Sequence, residues 1–288
     1  KKSNIFIFDA YGEYNNALSK NSNINYILYT TKVTKFEDIY SVLLIIPLWL
    51  LDVDYYALLL EATSPTQIPI IEKALKLVGI FAKEEDSVIT YKDDIIARAL
   101  VEILYSGGTP MQIRDQIFAV LSSFFTKNLN LDSKIIIPGW TRTLRQCLII
   151  DKDGKIQDIQ LVAGFFNSFI RQDLELAKLD GSFPYSLKHL KDAFDFALIS
   201  EGILKSDKVY EEANVLKVRL HSLINSDYKE FFNYENYITK EQYIKSLTTD
   251  RKGLKCQIIN FNINYVDDRF AKIIVKLISK MLFEYNVL

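Results

Sequence analysis

Apolar and polar positions follow two different periods along this chain, and the pattern near the amino terminus predicts a buried strand. Ile5 to Phe8 is a continuous apolar and aromatic run, which is typical of a strand covered on both faces. The run ends on Asp9, and Gly12 and Glu13 follow in a predicted turn. Open α/β sheets bind ligands at the carboxyl ends of their strands, so this turn is the first candidate site.

Three further segments are predicted to be extended. Residues 24–29 are mostly apolar and aromatic and form a second candidate strand. Residues 41–51 are strongly apolar, but Pro47 interrupts them and favours an extended edge segment over a helix interior. Residues 256–262 form a candidate strand near the end of the chain, and a long helix is predicted from about residue 266 to residue 285.

Between residues 54 and 130 the spacing of apolar positions becomes helical. Asp54 is predicted to cap the first helix of this segment. Thr109 and Pro110 are predicted to cap and open a later one. The amphipathic helices predicted here span residues 67–83, 93–105 and 111–126.

The next part of the chain is expected to combine a hairpin with helices. Residues 147–150 and 155–161 are rich in apolar side chains and flank Asp151-Lys152-Asp153-Gly154. An Asp-Gly pair between two such runs predicts a β-hairpin. Further helices are predicted for residues 186–204, for residues 206–224, and after a capping box that begins at Thr239.

Composition is that of an ordinary globular protein. The chain has 288 residues and is 49% hydrophobic and 25% charged. Its net charge is −1, so the overall charge does not predict nucleic-acid binding. Any DNA contact would come from local loops or from a ring of subunits. Cys147 and Cys256 are expected to be reduced and buried. The sequence shows neither a membrane-spanning run nor a signal peptide, and a cytoplasmic location is expected.

Several motifs that would identify a particular chemistry are missing from the sequence. There is no phosphate-binding G-x-x-x-x-G-K-[ST] loop, and Gly107-Gly108 lies between predicted helices. Asp151-x-Asp153-Gly154 lacks the glutamate that a calcium loop needs at its twelfth position, where Val162 stands. His189 and His221 have no metal-ligand cluster around them, so neither is expected to bind metal or to catalyse.

The acidic turn after the first strand and an arginine in a later helix each have two possible interpretations. Asp9 and Glu13 form either an acidic site or a turn closed by an Asx-type hydrogen bond. Arg219 is either an exposed residue on an amphipathic helix or an arginine that reaches a phosphate bound at a subunit boundary. Sequence physics alone leaves both pairs open.

Five short blocks, in order along nearly the whole chain, carry a resemblance to a known family. Residues 9–14, Asp-Ala-Tyr-Gly-Glu-Tyr, are similar to a D-P-H-G-E-Y signature in which proline and histidine have been replaced. The arginine of a later D-x-R-Y block is absent before Tyr228. The other blocks are residues 46–51 (P-x-W-x-L), 182–187 (P-x-P-Y-x-L), 216–223 (L-K-x-R-x-x-S-L) and 258–262 (I-x-L-S). Together they resemble the HerA/FtsK-type hexameric ATPases, in particular the HerA-like DNA translocases.

The resemblance implies a helix-rich α/β fold: a partial RecA-like core of the P-loop NTPase type with a large all-helical insertion. It implies a homo-hexamer that moves double-stranded DNA with ATP and Mg²⁺, alongside a nuclease or other effector in DNA processing or phage defence. Asp9, Gly12 and Glu13 would lie beside the nucleotide, with Asp9 and Glu13 acting in catalysis. Arg219 would be a catalytic contact between subunits.

Two elements that define these ATPases are missing from the sequence. The Walker A lysine and the Walker B acid have no counterpart, so the chain is expected to be part of a longer protein and inactive alone, with no ATP bound. An ATPase-dead paralogue is the second explanation, and a non-catalytic helical interaction or oligomerisation module is the alternative function. The resemblance also divides the chain into four segments, which are residues 1–53 (first part of the core), 54–130 (helical insertion), 131–205 (hairpin and helical connection) and 206–288 (return to the core).

Overall fold

The protein has a mixed α/β fold, which confirms the predicted fold class at that level. The computed structural model describes residues 4–21, 23–33, 41–83, 85–171, 184–205 and 207–287. The strands are β1 (Ile5–Asp9), β2 (Tyr26–Thr30), β3 (Val42–Leu43), β4 (Lys134–Ile137), β5 (Trp140–Thr143) and β6 (Ile258–Asn262). The helices are α1 (Tyr14–Leu18), α2 (Val53–Leu59), α3 (Gln67–Phe81), α4 (Glu85–Leu104), α5 (Pro110–Ser123), α6 (Leu144–Cys147), α7 (Ile159–Asn167), α8 (Leu187–Lys205), α9 (Asp207–Asn225), α10 (Lys240–Leu247) and α11 (Asp268–Val287).

The chain divides into two compact units. The first contains the parallel sheet, and the second is mainly helical. In the part of the chain that the structure describes, no helix is both long enough and apolar enough to cross a membrane. The first unit comprises Lys1–Ile71, Gly181–Lys191 and Leu216–Leu288, and the second comprises Glu72–Asp180 and Asp192–Val215.

A parallel sheet with the order β1-β6-β2-β3 organises the first unit. The last strand in sequence, β6, lies between β1 and β2, and all five of its residues are buried. Such burial is typical of a central strand in a parallel sheet. The predicted strands at both ends of the chain are thereby confirmed. The register places Asp9 and Thr30 on either side of Asn262, so all three lie at the carboxyl edge of the sheet.

Aromatic side chains stack across one face of this sheet. The ring of Phe261 lies 5.3 Å from that of Phe8 and 5.4 Å from that of Tyr29, measured between centroids. The hydroxyl of Tyr29 donates to the carbonyl of Ser246 on α10, 3.2 Å away. Burial is the main cause of the raised pKa of Tyr29, so the phenol stays neutral. Each aromatic pair adds about 1 kcal/mol beyond its buried area and helps to join the three strands.

Asp52, and not Asp54, caps α2. Asp52 has an extended backbone (φ −89°, ψ −179°) and accepts the Tyr55 N–H at 3.2 Å, whereas Asp54 already lies in the first turn of the helix. The prediction that Asp54 is the cap was therefore wrong, because a cap must lie just outside the helical backbone. Lys280 of α11 donates to the same Asp52 carboxylate at 2.8 Å, so one side chain both starts α2 and ties it to α11.

In the second unit, two adjacent buried carboxylates on α4 hold two separate segments. Asp93 accepts hydrogen bonds from the side chains of Thr126 and Asn128. Asp94 accepts the Arg171 N–H at 2.7 Å and a bidentate pair from Arg98. Because each buried carboxylate is satisfied, α4 can carry both of them within an otherwise apolar environment.

The hairpin predicted around residues 147–161 is confirmed only beside its turn. A turn does form there, and Asp151 accepts the N–H groups of Asp153 and Lys155. An antiparallel bridge joins Ile150 to Ile156, and the Gln157 N–H donates to the Ile149 carbonyl at 2.9 Å. The pairing extends no further, because helices α6 and α7 begin or end close to the turn. A longer antiparallel hairpin in this region is formed by β4 and β5. The local turn chemistry was correctly interpreted, but the predicted strands were too long, because Cys147 and the apolar residues from Ile159 onward lie in helices.

Replacement of Asp52 by Asn should have a pH-dependent effect on stability. Burial raises the pKa of Asp52, but Lys280 and the Tyr55 N–H outweigh it, so the net pKa lies below 3.8. The lowered pKa stabilises the fold above the unfolded-state pKa, and this contribution is lost as pH falls through the folded-state pKa. Asp52→Asn keeps the capping oxygen and should lower the free energy of unfolding at pH 7 by at most about 1 kcal/mol.

Urea unfolding of both proteins, followed by circular dichroism over a series of pH values, measures this difference. The gap between them should shrink as the pH falls below 3.8. A gap that stays constant with pH would contradict the assigned ion pair.

Candidate functional site

The candidate site lies at the carboxyl edge of the parallel sheet, where three strands end at one level. Asp9, Asn262 and Thr30 are the last residues of β1, β6 and β2 and are aligned by the register. Thr31 follows directly and donates both its N–H and its hydroxyl to the Asn262 carbonyl, at 3.1 and 3.0 Å. This edge is where open parallel sheets bind their ligands.

Asp9 builds the turn that follows β1. It is 1% exposed, and its Oδ1 accepts the N–H groups of Gly12 at 2.8 Å and Glu13 at 3.2 Å. Its Oδ2 accepts the Tyr14 N–H at 3.1 Å. A carboxylate that accepts several backbone N–H groups fixes the loop that carries them. The turn interpretation of Asp9 therefore describes these contacts, and its predicted role beside a nucleotide stays a prediction.

Gly12 packs this turn against the end of β6. Its φ of +74° is in the left-handed region, and a Cβ atom there would lie 3.2 Å from Nδ2 of Asn262. The Asn262 side chain is held in turn, because its Oδ1 accepts the Asn264 N–H at 3.1 Å. Asn262 was not singled out from the sequence. It was only the end of a predicted strand, and its alignment with Asp9 becomes visible when the two strands pair.

Glu13 is the acidic side chain of this turn that faces solvent. It is exposed, and it precedes α1 without making a side-chain capping bond. The two acidic residues of the turn therefore differ in role. Asp9 is committed to the backbone, and Glu13 is presented at the edge.

A partly buried chain of polar side chains runs from the centre of the sheet to α1. Asn260 is 0% exposed, and its Nδ2 donates to the Tyr26 hydroxyl at 3.0 Å. That hydroxyl donates to Oδ1 of Asn15 at 3.2 Å. Burial is the main cause of the raised pKa of Tyr26, so its hydroxyl keeps its proton. Among the described residues, Oδ1 of Asn260 has no hydrogen-bond partner. Asn260 lies two residues before Asn262, so both point to the same face.

Arg219 lies on α9 and its contacts are with the end of α2. It donates to the carbonyl of Leu60 at 2.8 Å and to that of Glu61. Its guanidinium also lies 3.6 Å from the Glu61 carboxylate. Arg219 is thus not a free surface arginine, and the predicted contact between subunits stays a prediction.

No ready-made metal centre is seen in the described ranges of the chain. They contain no group of three or more His, Cys, Asp or Glu side chains that could hold a metal ion.

The parallel sheet and its helices make this an α/β protein, and open α/β sheets that bind ligands do so at the carboxyl edge where the Asp9 turn lies. The family model described as "Helicase HerA, central domain" matches residues 1–282, and the chain belongs to this family. The resemblance found in the five sequence blocks is thereby confirmed. At family level, membership implies a function of the ATPase and DNA-translocase type. No curated protein matches the chain.

Removal of the Asp9 carboxylate should destabilise the fold strongly. Asp9→Ala leaves three partly buried N–H groups of the turn without their acceptor, and we expect a loss of about 3 kcal/mol in the free energy of unfolding. The control Glu13→Gln changes an exposed side chain and should stay within about 0.5 kcal/mol of the original chain. Urea unfolding measures both, and equal effects would contradict the division of roles between the two acids.

Gly12→Ala should cost more than the same change at Gly253. The two glycines have similar φ values, +74° and +78°, but a Cβ at Gly253 would meet nothing within 4 Å. Gly253→Ala should therefore show only the left-handed penalty of about 1 kcal/mol. Gly12→Ala adds the close approach to Asn262. Thermal unfolding should therefore show a larger loss of stability for Gly12→Ala than for Gly253→Ala. Equal losses would show that the Asn262 side chain moves away from the added Cβ at no cost.

Proposed function

We propose that this chain is the central part of a HerA-type ATP-driven DNA translocase, and that the carboxyl edge of its sheet forms one wall of the nucleotide site. The observation that carries the proposal is the parallel register that brings Asp9 and Asn262 together at this edge. Family membership over residues 1–282 supports the ATPase class. The proposal takes the sheet of the first unit to be part of a RecA-like core.

In this proposal each residue of the Asp9 turn has a separate role. Asp9 fixes the backbone of Gly12, Glu13 and Tyr14, and Gly12 allows the turn to approach Asn262. Glu13, which is exposed, is placed to orient water bound to Mg²⁺. ATP with Mg²⁺ supplies the phosphoanhydride bond whose hydrolysis drives movement.

The proposal places the remaining parts of the site in a longer protein. The 288 residues contain neither a G-x-x-x-x-G-K-[ST] loop nor a late strand that ends on paired acids, and phosphoryl transfer needs a phosphate cradle and metal ligands. The proposed assembly is a homo-hexamer in the cytoplasm, in which Arg219 approaches a neighbouring subunit. Its partners are double-stranded DNA and a nuclease or other effector.

A non-catalytic oligomerisation module is the second candidate function. It is favoured by the engagement of two predicted site residues within the chain itself. Asp9 accepts backbone N–H groups, and Arg219 donates to the end of α2. These contacts explain both residues without a nucleotide.

Nucleotide binding separates the two candidates. By isothermal titration calorimetry, the 288-residue chain alone should show no micromolar affinity for ATP, because the sequence contains no phosphate-binding loop. The longer protein should hydrolyse ATP in the presence of duplex DNA. Glu13→Gln in that protein should lower kcat at least about tenfold, as expected for a lost catalytic contact.

Glu102→Gln is the matched control, since Glu102 is an exposed glutamate on α4 in the second unit. It should leave kcat unchanged. Full activity in the Glu13→Gln protein would remove Glu13 from the site. A longer protein that does not hydrolyse ATP would favour the second candidate.

A further inference from the structure

Glu61 occupies a position at the end of α2 that is usually glycine. Its φ is +50°, and among the described residues it is the non-glycine residue with a positive φ. The Glu61 N–H donates to the Leu58 carbonyl at 3.2 Å, and the Ala62 N–H donates to the Ala57 carbonyl at 2.7 Å. This pair of bonds is the Schellman motif, in which glycine avoids a cost of about 1 kcal/mol. A glutamate held in this conformation points to a use for its side chain.

The Glu61 carboxylate lies between two arginines. Its Oε1 accepts from Nη1 of Arg269 at 2.5 Å, and its Oε2 lies 3.6 Å from Nη2 of Arg219. All three side chains are partly exposed to solvent. Two guanidinium groups from α9 and α11 therefore converge on one carboxylate that a solute can reach.

The other acidic group near Arg269 is already satisfied. Asp267 accepts the Phe270 N–H at 2.8 Å and the Tyr228 hydroxyl at 3.0 Å, and it lies 3.9 Å from Arg269. Burial raises the pKa of Asp267, but these hydrogen bonds and the Arg269 charge outweigh it and lower the pKa. Asp267 thus stays charged and holds the start of α11, and Glu61 is the closer partner of Arg269.

We propose that Arg219 and Arg269 form a binding site for a phosphate group, and that the Glu61 carboxylate occupies this site in the ligand-free chain. Guanidinium forks bind carboxylate and phosphate oxygens in the same geometry, and a phosphate brings more charge and more acceptors than a carboxylate. A phosphate that displaces Glu61 would keep both arginines paired. This inference goes beyond the nucleotide site proposed at the sheet edge, because it depends only on the contacts among Glu61, Arg219 and Arg269.

Glu61→Gly tests the proposal in the full chain. Glycine keeps the left-handed backbone and the Schellman motif but removes the competing carboxylate. Isothermal titration with inorganic phosphate at constant ionic strength should show at least about tenfold tighter binding than in the original chain, equivalent to about 1.4 kcal/mol. Glu61→Gln, which keeps the side-chain length without the charge, should change the affinity in the same direction.

Two double variants locate the phosphate. Glu61→Gly with Arg269→Gln should lose the gain in affinity. Glu61→Gly with Arg145→Gln should keep it, because Arg145 is an exposed arginine of the second unit. An affinity equal to that of the original chain in both Glu61 variants would overturn the proposal. So would a gain that survives loss of Arg269.

The source of the phosphate group is identified by two further titrations of the Glu61→Gly chain, one with ATP and one with a short DNA duplex. A gain over the original chain in either titration supports the site and names a nucleotide or a nucleic-acid backbone as its ligand. Absence of a gain in both titrations would count against the site. These results do not depend on ATP hydrolysis by the longer protein, so the two proposals fail separately.

Discussion

The buried Asp9 carboxylate, bound by the backbone N–H groups of Gly12, Glu13 and Tyr14, is the interaction on which the candidate site depends. It turns the chain sharply at the end of β1 and places Gly12 against Asn262 at the end of β6. A buried carboxylate is tolerated only when its acceptors are satisfied, and here the backbone satisfies them. The sheet edge is consequently an ordered surface formed by the first and last strands of the chain.

Two of the predicted site residues, Asp9 and Arg219, form hydrogen bonds within the chain itself. The Asp9 carboxylate binds the turn, and Arg219 binds the end of α2 and the Glu61 carboxylate. Glu13, by contrast, faces solvent at the edge. Asp9 therefore shapes the candidate site, whereas Glu13 is free to contact a ligand. The nucleotide proposal is tested at Glu13, and the phosphate proposal is tested at Glu61 and Arg269.

Much of the sheet could be predicted from the sequence, because continuous apolar runs identify buried strands without tertiary information. Helix starts that depend on local hydrogen bonds were also predictable, as Thr109 and Thr239 show by forming capping boxes. The hairpin around Asp151 was predicted too long, because apolar residues near a turn fit a helix as well as a strand.

Only part of the candidate site could be predicted from the sequence. The Asp9 turn is local and could be found, and the family match confirms the resemblance to which its sequence block contributes. Asn262 and the pairing of Arg219 and Arg269 through Glu61 join positions far apart in sequence, so no spacing rule reveals them. Glu61 carries no sequence signal either, since its unusual backbone becomes apparent only when α2 is seen to end there.

The most direct test of the central claim is an experimental structure of the longer protein with a non-hydrolysable ATP analogue and Mg²⁺. The account predicts that the triphosphate lies at the carboxyl edge of the β1-β6-β2 strands, with the Glu13 carboxylate facing the metal and its water. Asp9 should keep its hydrogen bonds to the turn. A nucleotide bound elsewhere, with the Gly12–Tyr14 turn out of reach of its phosphates, would contradict the account.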